Sequence, residues 1–187
     1  MLRTNQAFLR YFEELYQKQE GREEVILKSF SRDKSLLIQD QSLLKVMLIK
    51  EGIAKCYLTE ENGKEYIMEF LGDGEILGEV ELIKNISCLC SVKAVSEVTV
   101  YEISVSYFKS LLKNDLALNH LLLDSFAERM INTSSRASYQ QLYTIEHTVM
   151  QLLNMQTQQG IQISKEDMAA YLGITVRSLN RILKDLK

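Results

Sequence analysis

The stretch SKEDMAAYLGITVRSLNRILKDL, residues 164–186, holds two helix starts separated by one sharp corner. Ser164 with Asp167 three residues on is close to a capping box, so a helix is predicted to begin there. It stops at Gly173, which tolerates the left-handed backbone that a tight corner needs. Thr175 then caps a second helix predicted to run through Leu186. Small side chains at Ala169 and Ala170 let the two helices approach closely, and the unit has the form of a helix-turn-helix.

The second helix is two-faced. Leu179, Ile182, Leu183 and Leu186 fall at i, i+3, i+4 and i+7 and are expected to pack inward. Arg177, Arg181 and Lys184 take the same spacing on the other side. Such a helix fits the major groove, where arginine bonds guanine edges bidentately and lysine meets phosphate. Arg177 and Arg181 are therefore the expected base readers, with Thr175, Ser178, Asn180 and Lys184 holding the backbone. Val176 either meets a thymine methyl or turns into the core. A charge run on a helix is ordinarily just solvated surface; here corner, caps and phase coincide, which favours duplex DNA. Residues 161–187 hold five Lys/Arg against three Asp/Glu, a local +2 inside a chain of net charge -3.

Moving toward the amino terminus, residues 115–143 contain no glycine, and Leu116, Leu123, Met130 and Ala137 recur every seven residues. A second row at His120, Ala127, Ser134 and Gln141, with Phe126 beside it, runs alongside. A long helix with such a seam buries it against a partner, commonly its own copy. The expected dimer interface is Leu116, Leu123, Phe126, Ala127, Met130 and Ala137. The competing reading packs this helix only on its own domain. Between them and the corner, Thr148, Val149, Leu152 and Leu153 mark another helix that Gly160 ends.

Farther back, from Val25 to about Ile103, apolar residues alternate, and five of the eight glycines fall between Gly52 and Gly78. Short strands broken by glycine suggest a small barrel or roll. Asn62-Gly63 between Leu58 and Tyr66 predicts a tight hairpin with positive φ angles. Phe8, Leu9, Phe12, Leu15 and Tyr16 predict a short amphipathic helix ahead of the roll. The fold class is therefore α+β, and three units are expected: 1–114, 115–143 and 144–187.

The 187 residues are 46% hydrophobic and 25% charged, which excludes a wholly disordered chain and a disulfide-stapled mini-protein. No apolar stretch is long enough to cross a membrane, and no signal-peptide core opens the chain, so no membrane partner is expected. Three cysteines, an odd number, point to the reducing cytoplasm.

Four stretches in order resemble the Crp/Fnr family of bacterial transcription regulators. They are Leu37–Gly52, Asn62-Gly63-Lys64-Glu65, the run Leu71-Gly72-Asp73-Gly74-Glu75-Ile76-Leu77-Gly78-Glu79, and Ile163–Leu186. The resemblance implies a cyclic-nucleotide-binding-like β-roll, a long dimerisation helix and a winged helix-turn-helix. It further implies operator DNA, a second copy of the chain, RNA polymerase and a small-molecule effector as partners. The family's β-wing follows the recognition helix, whereas this sequence stops at Lys187.

Two departures matter. Members that bind cyclic nucleotides follow Gly-Glu, about ten residues later, with Arg-Ser: the Glu meets the ribose and the Arg neutralises the phosphate. Gly78 and Glu79 are present, but Cys88-Leu89 stands in place of Arg-Ser. A phosphate there would lose a charge-assisted bond of roughly 1.5–3 kcal/mol. Thr133 and Ser134 fall where such members place hydroxyls on the base, yet two hydroxyls do not replace the cation. Cyclic AMP is not expected. The candidate effector pocket is Gly78, Glu79, Cys88, Leu89, Cys90, Thr133 and Ser134. In the recognition helix, the family's Arg-Glu start has become Val176-Arg177, so its consensus operator does not transfer.

Cys88 and Cys90 are expected to alternate on a strand and face the pocket, as small packing residues in preference to a thiol or metal sensor. Three cysteines in the chain exclude a single-chain four-cysteine iron–sulfur cluster, and no cofactor or metal is expected. His120 and His147 read as surface or seam residues. Without histidines in the roll, a metal-dependent cupin enzyme is disfavoured, and no catalytic residues are assigned. A sensory or adaptor module that has lost DNA binding remains the other alternative.

Overall fold

The computed structural model describes residues 2–19 and 24–186. Two sheets form the amino-terminal roll. One has the order β1-β6-β5-β8-β3 and the other β2-β9-β4-β7. In chain order the strands are β1 Leu2–Arg3, β2 Val25–Phe30, β3 Ser35–Leu37, β4 Lys45–Glu51 and β5 Ala54–Thr59. They continue with β6 Glu65–Leu71, β7 Ile76–Leu77, β8 Ser91–Ala94 and β9 Val98–Ser104. The helices are α1 Gln6–Lys18, α2 Glu79–Lys84, α3 Val105–Asn114, α4 Leu116–Leu142, α5 Ile145–Gln159, α6 Lys165–Leu172 and α7 Val176–Asp185.

The near-continuous apolar run Val46–Ile49 in β4 is explained by burial on both faces. Val46 and Leu48 join Phe8, Phe12, Phe108, Leu118 and Leu122 outside the roll, where α1, α3 and α4 cover the sheet. Met47 and Ile49 point the other way, into the roll, with Leu37, Val92, Val98 and Val100. The predicted amphipathic helix is α1, with Phe8 and Phe12 wholly buried and Asn5 capping it through the Phe8 amide at 3.0 Å.

Gly74 shows why glycine is needed where α1 meets the roll. Its φ is +83°, and a Cβ there would sit 1.8 Å from the Asn5 carbonyl oxygen. The Asn-Gly hairpin is looser than the sequence suggests. A loop from Glu60 to Lys64 separates β5 from β6, and Gly63, not Asn62, takes positive φ. The Asn62 side chain instead accepts from the Lys64 amide at 3.0 Å, an Asx-type turn that does the work of a two-residue corner.

A third apolar cluster joins the roll to the carboxy-terminal helices. Tyr57, Ile67 and Phe70 pack against Val149, Leu152, Met168, Tyr171, Leu179 and Ile182. No helix among the described residues is long and apolar enough to cross a membrane.

Candidate nucleic-acid interface

Each helix of the carboxy-terminal unit begins on a side-chain cap. Thr144 accepts from the His147 amide, Ser164 from Asp167, and Thr175 from Ser178. Between α6 and α7, Gly173 adopts φ +69° and the Ile174 amide returns to the Ala169 carbonyl at 3.0 Å. This closes the corner of a helix-turn-helix.

Leu179 and Ile182 anchor α7 in the core, and Leu183 is half-buried. Leu186 departs from the expected inward stripe: at 39% exposure it sits in the C-cap, past the last helical turn. Arg177, Arg181 and Lys184 are exposed, and none of the three is in an ion pair among the described residues. Thr175 and Ser178 share a hydroxyl–hydroxyl bond of 3.0 Å, so both are engaged in the cap. Asn180 accepts from Lys165 Nζ at 2.9 Å, which adds a cation from α6 to the same edge. Val176 is half-buried and packs against the apolar cluster.

The long helix α4 has two distinct faces. Leu118, Leu122 and Ser125 are buried, and Arg129, Asn132 and Arg136 continue that stripe at alternating spacings of three and four. Leu116, Leu123, Ala127, Met130 and Ala137 lie exposed on the other side, with Leu123 66% and Met130 69% accessible. Phe126 does not share that exposure. It is half-buried against the cluster of its own α1, α3 and β4, because its place in the helix turn borders the roll-facing stripe.

The roll-facing stripe carries two arginines that sequence reading missed. Arg129 donates to the carboxylate of Glu79, to Glu75 Oε2 at 3.5 Å and to the Ile76 carbonyl at 3.0 Å. Arg3 completes the group by pairing with Glu75. Glu79 and Glu75 side chains are only 2% and 6% exposed. Burial raises the Glu79 pKa above its usual value, and the Arg129 cation opposes that rise without cancelling it. One turn pair later, Arg136 donates to the carbonyls of Met68, Ile67 and Tyr171, the latter two at 3.0 and 2.8 Å. Its guanidinium also lies 4.1 Å from the centre of the Tyr171 ring. Arg136 thus ties α4, β6 and α6 together. The signal is present in the sequence as Arg129 and Arg136 seven residues apart, on a row next to neither of the two heptad rows at Leu116 and His120.

Lys55 makes a further bridge from roll to helices. Its ammonium lies 2.6 Å from Asp167 Oδ1 and 3.3 Å from Glu65 Oε2. Burial alone would lower the Lys55 pKa, but the two carboxylates reverse the sign and hold it above normal. Asp167 consequently serves the interface and does not turn back on Ser164 to complete a capping box.

The expected pocket residues are only partly assembled. Gly78 sits at φ +87° as the N-cap of α2, and Glu79 is buried behind it against Arg129. Thr133 and Ser134 are exposed, and Leu89 is 52% exposed, turned away from the roll interior. Cys88 and Cys90 do not alternate on a strand, since β8 begins only at Ser91. Asn85 ends α2 in left-handed backbone, and the Leu89 amide is captured by Glu81 Oε1 at 3.1 Å. That bend keeps the segment out of the sheet, yet Cys88 and Cys90 still reach one apolar cluster. His120 and His147 are exposed, the latter stacked on Tyr143 at 4.7 Å.

Residues 27–115 match the family model described as a cyclic nucleotide-binding domain. The chain is 26% identical over 158 residues to the probable transcriptional regulator flp of Lacticaseibacillus casei, covering 81% of this chain and 72% of that protein. It is 29% identical over 152 residues to the cAMP-activated global transcriptional regulator CRP of Pasteurella multocida, covering 75% and 72%. A putative transcriptional regulator of the crp/fnr family from Eubacterium rectale shares the fold, with TM-score 0.74 at 15% identity over 96% of this chain and 82% of that one.

Proposed function

We propose that this chain, which is similar to regulators of the Crp/Fnr type, acts as a homodimeric, sequence-specific DNA-binding transcription regulator. Relatives of this kind are transcription regulators and not enzymes. The observation that carries the reading is the exposed stripe Arg177, Arg181 and Lys184 on a helix anchored by Leu179 and Ile182. A rigid helix bearing unpaired cations is what base-edge and phosphate contacts require.

In this reading Arg177 and Arg181 contact base edges. Lys184 and Lys165 meet phosphate, while Thr175 and Ser178 hold the helix start. The uncovered seam Leu116, Leu123, Met130 and Ala137 supports pairing of two α4 helices, which would present two α7 helices to half-sites about one helical turn apart. RNA polymerase is a further partner in this reading, on the resemblance alone.

Cyclic AMP is not the effector in this account. Glu79 is already bonded to Arg129, and Cys88-Leu89 offers the phosphate no cation. To take a phosphate itself, Arg129 would have to leave two buried carboxylates, at a cost of several kcal/mol. A different effector, or none, then sets the pose of α4.

Footprinting on the DNA upstream of the chain's own gene tests the proposal. The parent is expected to protect a twofold-symmetric site. Arg177→Ala with Arg181→Ala should remove protection, each change costing about 1–3 kcal/mol, while leaving the oligomeric state intact. Unchanged protection would overturn the assigned reading face.

A further inference from the structure

We propose that Cys56 and Cys90 form a peroxide-oxidisable dithiol that closes to an intramolecular disulfide within the roll. Their sulfur atoms lie 2.9 Å apart. Cys56 sits in β5 directly opposite Val92 of β8, and Cys90 lies in the bend just before β8; both side chains pack against the same apolar cluster inside the roll. A disulfide needs about 2.05 Å between sulfurs, so the pair closes with a shift of less than about 1 Å and no change of strand register.

The two thiols are unequal. The hydrogen bond to Cys90, with burial adding to it, pushes the Cys56 thiol well above its usual pKa, so Cys56 is the sulfur that holds its proton. Both sulfurs are half-buried, and Cys90, beside the exposed Leu89 in the bend before β8, is assigned the attack on the oxidant. Its thiolate attacks a hydroperoxide: the S–O bond forms, the O–O bond breaks, and the departing hydroxide takes a proton to become water. The Cys56 sulfur then attacks the Cys90 sulfenic acid. The S–S bond forms, the S–O bond breaks, and the second hydroxide leaves as water with the Cys56 proton. Two thiols lose two electrons, and one peroxide becomes two waters.

Cys88 stands apart. It is buried at 3% exposure, and its backbone is pinned by the Gln41 carbonyl at 2.9 Å and the Asp40 amide at 2.8 Å. The opposite face of β5 presents Lys55 and Tyr57 to the helix-turn-helix unit, so the thiol pair lies one strand's thickness from that junction. The proposal does not depend on DNA binding.

The test treats the full chain with hydrogen peroxide and then alkylates under denaturing conditions. The expected product has lost two hydrogens in mass and accepts one alkyl group where the reduced chain accepts three. A non-reduced tryptic digest should link the peptide of residues 56–64 to that of residues 85–93, and dithiothreitol should separate them. Because the second peptide holds both Cys88 and Cys90, variants assign the bond: Cys88→Ser keeps the link, whereas Cys90→Ser and Cys56→Ser abolish it. Three alkylated cysteines after peroxide, oxygen addition in place of hydrogen loss, or a link that survives in Cys90→Ser would each overturn the proposal. The parent chain alone decides the first two outcomes, so a misfolded variant does not shield the idea.

Discussion

Replacing Arg129 by methionine should expose the weight of the buried charge group that joins α4 to the roll. The substitution keeps most of the stem but deletes the cation facing Glu79 and Glu75, whose side chains are 2% and 6% exposed. Breaking a fully buried pair costs about 3–5 kcal/mol. Arg129 is itself 21% exposed, and Arg3 still serves Glu75. The expected loss is therefore near the lower end, roughly 3 kcal/mol, equivalent to a fall in Tm of about 6–12 °C for a chain of this size.

The loss should depend on pH with a definite sign. Glu79 has its folded pKa raised by burial, so its contribution is full below the unfolded value of 4.5 and is lost as pH rises through the folded value. Without Arg129 to oppose burial, the rise is larger, and the deficit of the variant should shrink between neutral pH and about pH 5. Glu79→Gln in the Arg129→Met background removes the stranded charge and should restore most of the stability at neutral pH. Urea unfolding followed by far-ultraviolet circular dichroism reads all three chains. A single variant within about 1 kcal/mol of the parent, or a double variant no more stable than the single one, would refute the reasoning.

Asp167→Asn should cost about 1.5 kcal/mol by removing a charge-assisted bond, and amides of α6 should exchange faster with deuterium. Lys55 is held above its usual pKa of 10.5, so this difference should persist through neutral and mildly alkaline pH and fade as pH rises through the folded value; loss of the same amount above that value would contradict it. Gly74→Ala should destabilise by more than about 2 kcal/mol, because its Cβ would meet the Asn5 carbonyl at 1.8 Å. Gly160→Ala, with similar φ but nothing within 4 Å, should cost only about 1 kcal/mol; equal urea midpoints would remove the distinction. Saturating cyclic AMP should leave Tm unchanged, since a ligand that binds the folded state at a hundredfold excess over Kd would add about 2.7 kcal/mol.

What the sequence made legible were the features set by local spacing. The caps at Ser164 and Thr175, the corner at Gly173 and the apolar runs of β4 and β9 all depend on neighbours a few residues apart. The anchoring of α7 by Leu179 and Ile182 followed from helical phase, and failed only at Leu186, where the helix ends. What stayed hidden were contacts between distant segments. Lys55 and Asp167 are 112 residues apart, and Arg136 reaches carbonyls in β6 and α6. No local pattern announces such pairs. The candidate pocket was misread for a related reason. Its residues were placed by resemblance to the family's nucleotide site, with Thr133 and Ser134 from α4, whereas the α4 side chain that meets Glu79 is Arg129. The bend before β8 was also invisible, because the Glu81 carboxylate that holds it acts through a side chain and not through the strand period.

The most direct test of the account is the stoichiometry of the protein on its operator duplex, measured by sedimentation equilibrium. Two chains per duplex are expected for the parent. Leu123→Glu with Met130→Glu, which places charge on the exposed seam of α4, should yield a single chain with greatly weakened binding. One parent chain per duplex, or a seam variant that binds as a pair with full affinity, would contradict delivery of two recognition helices by paired long helices.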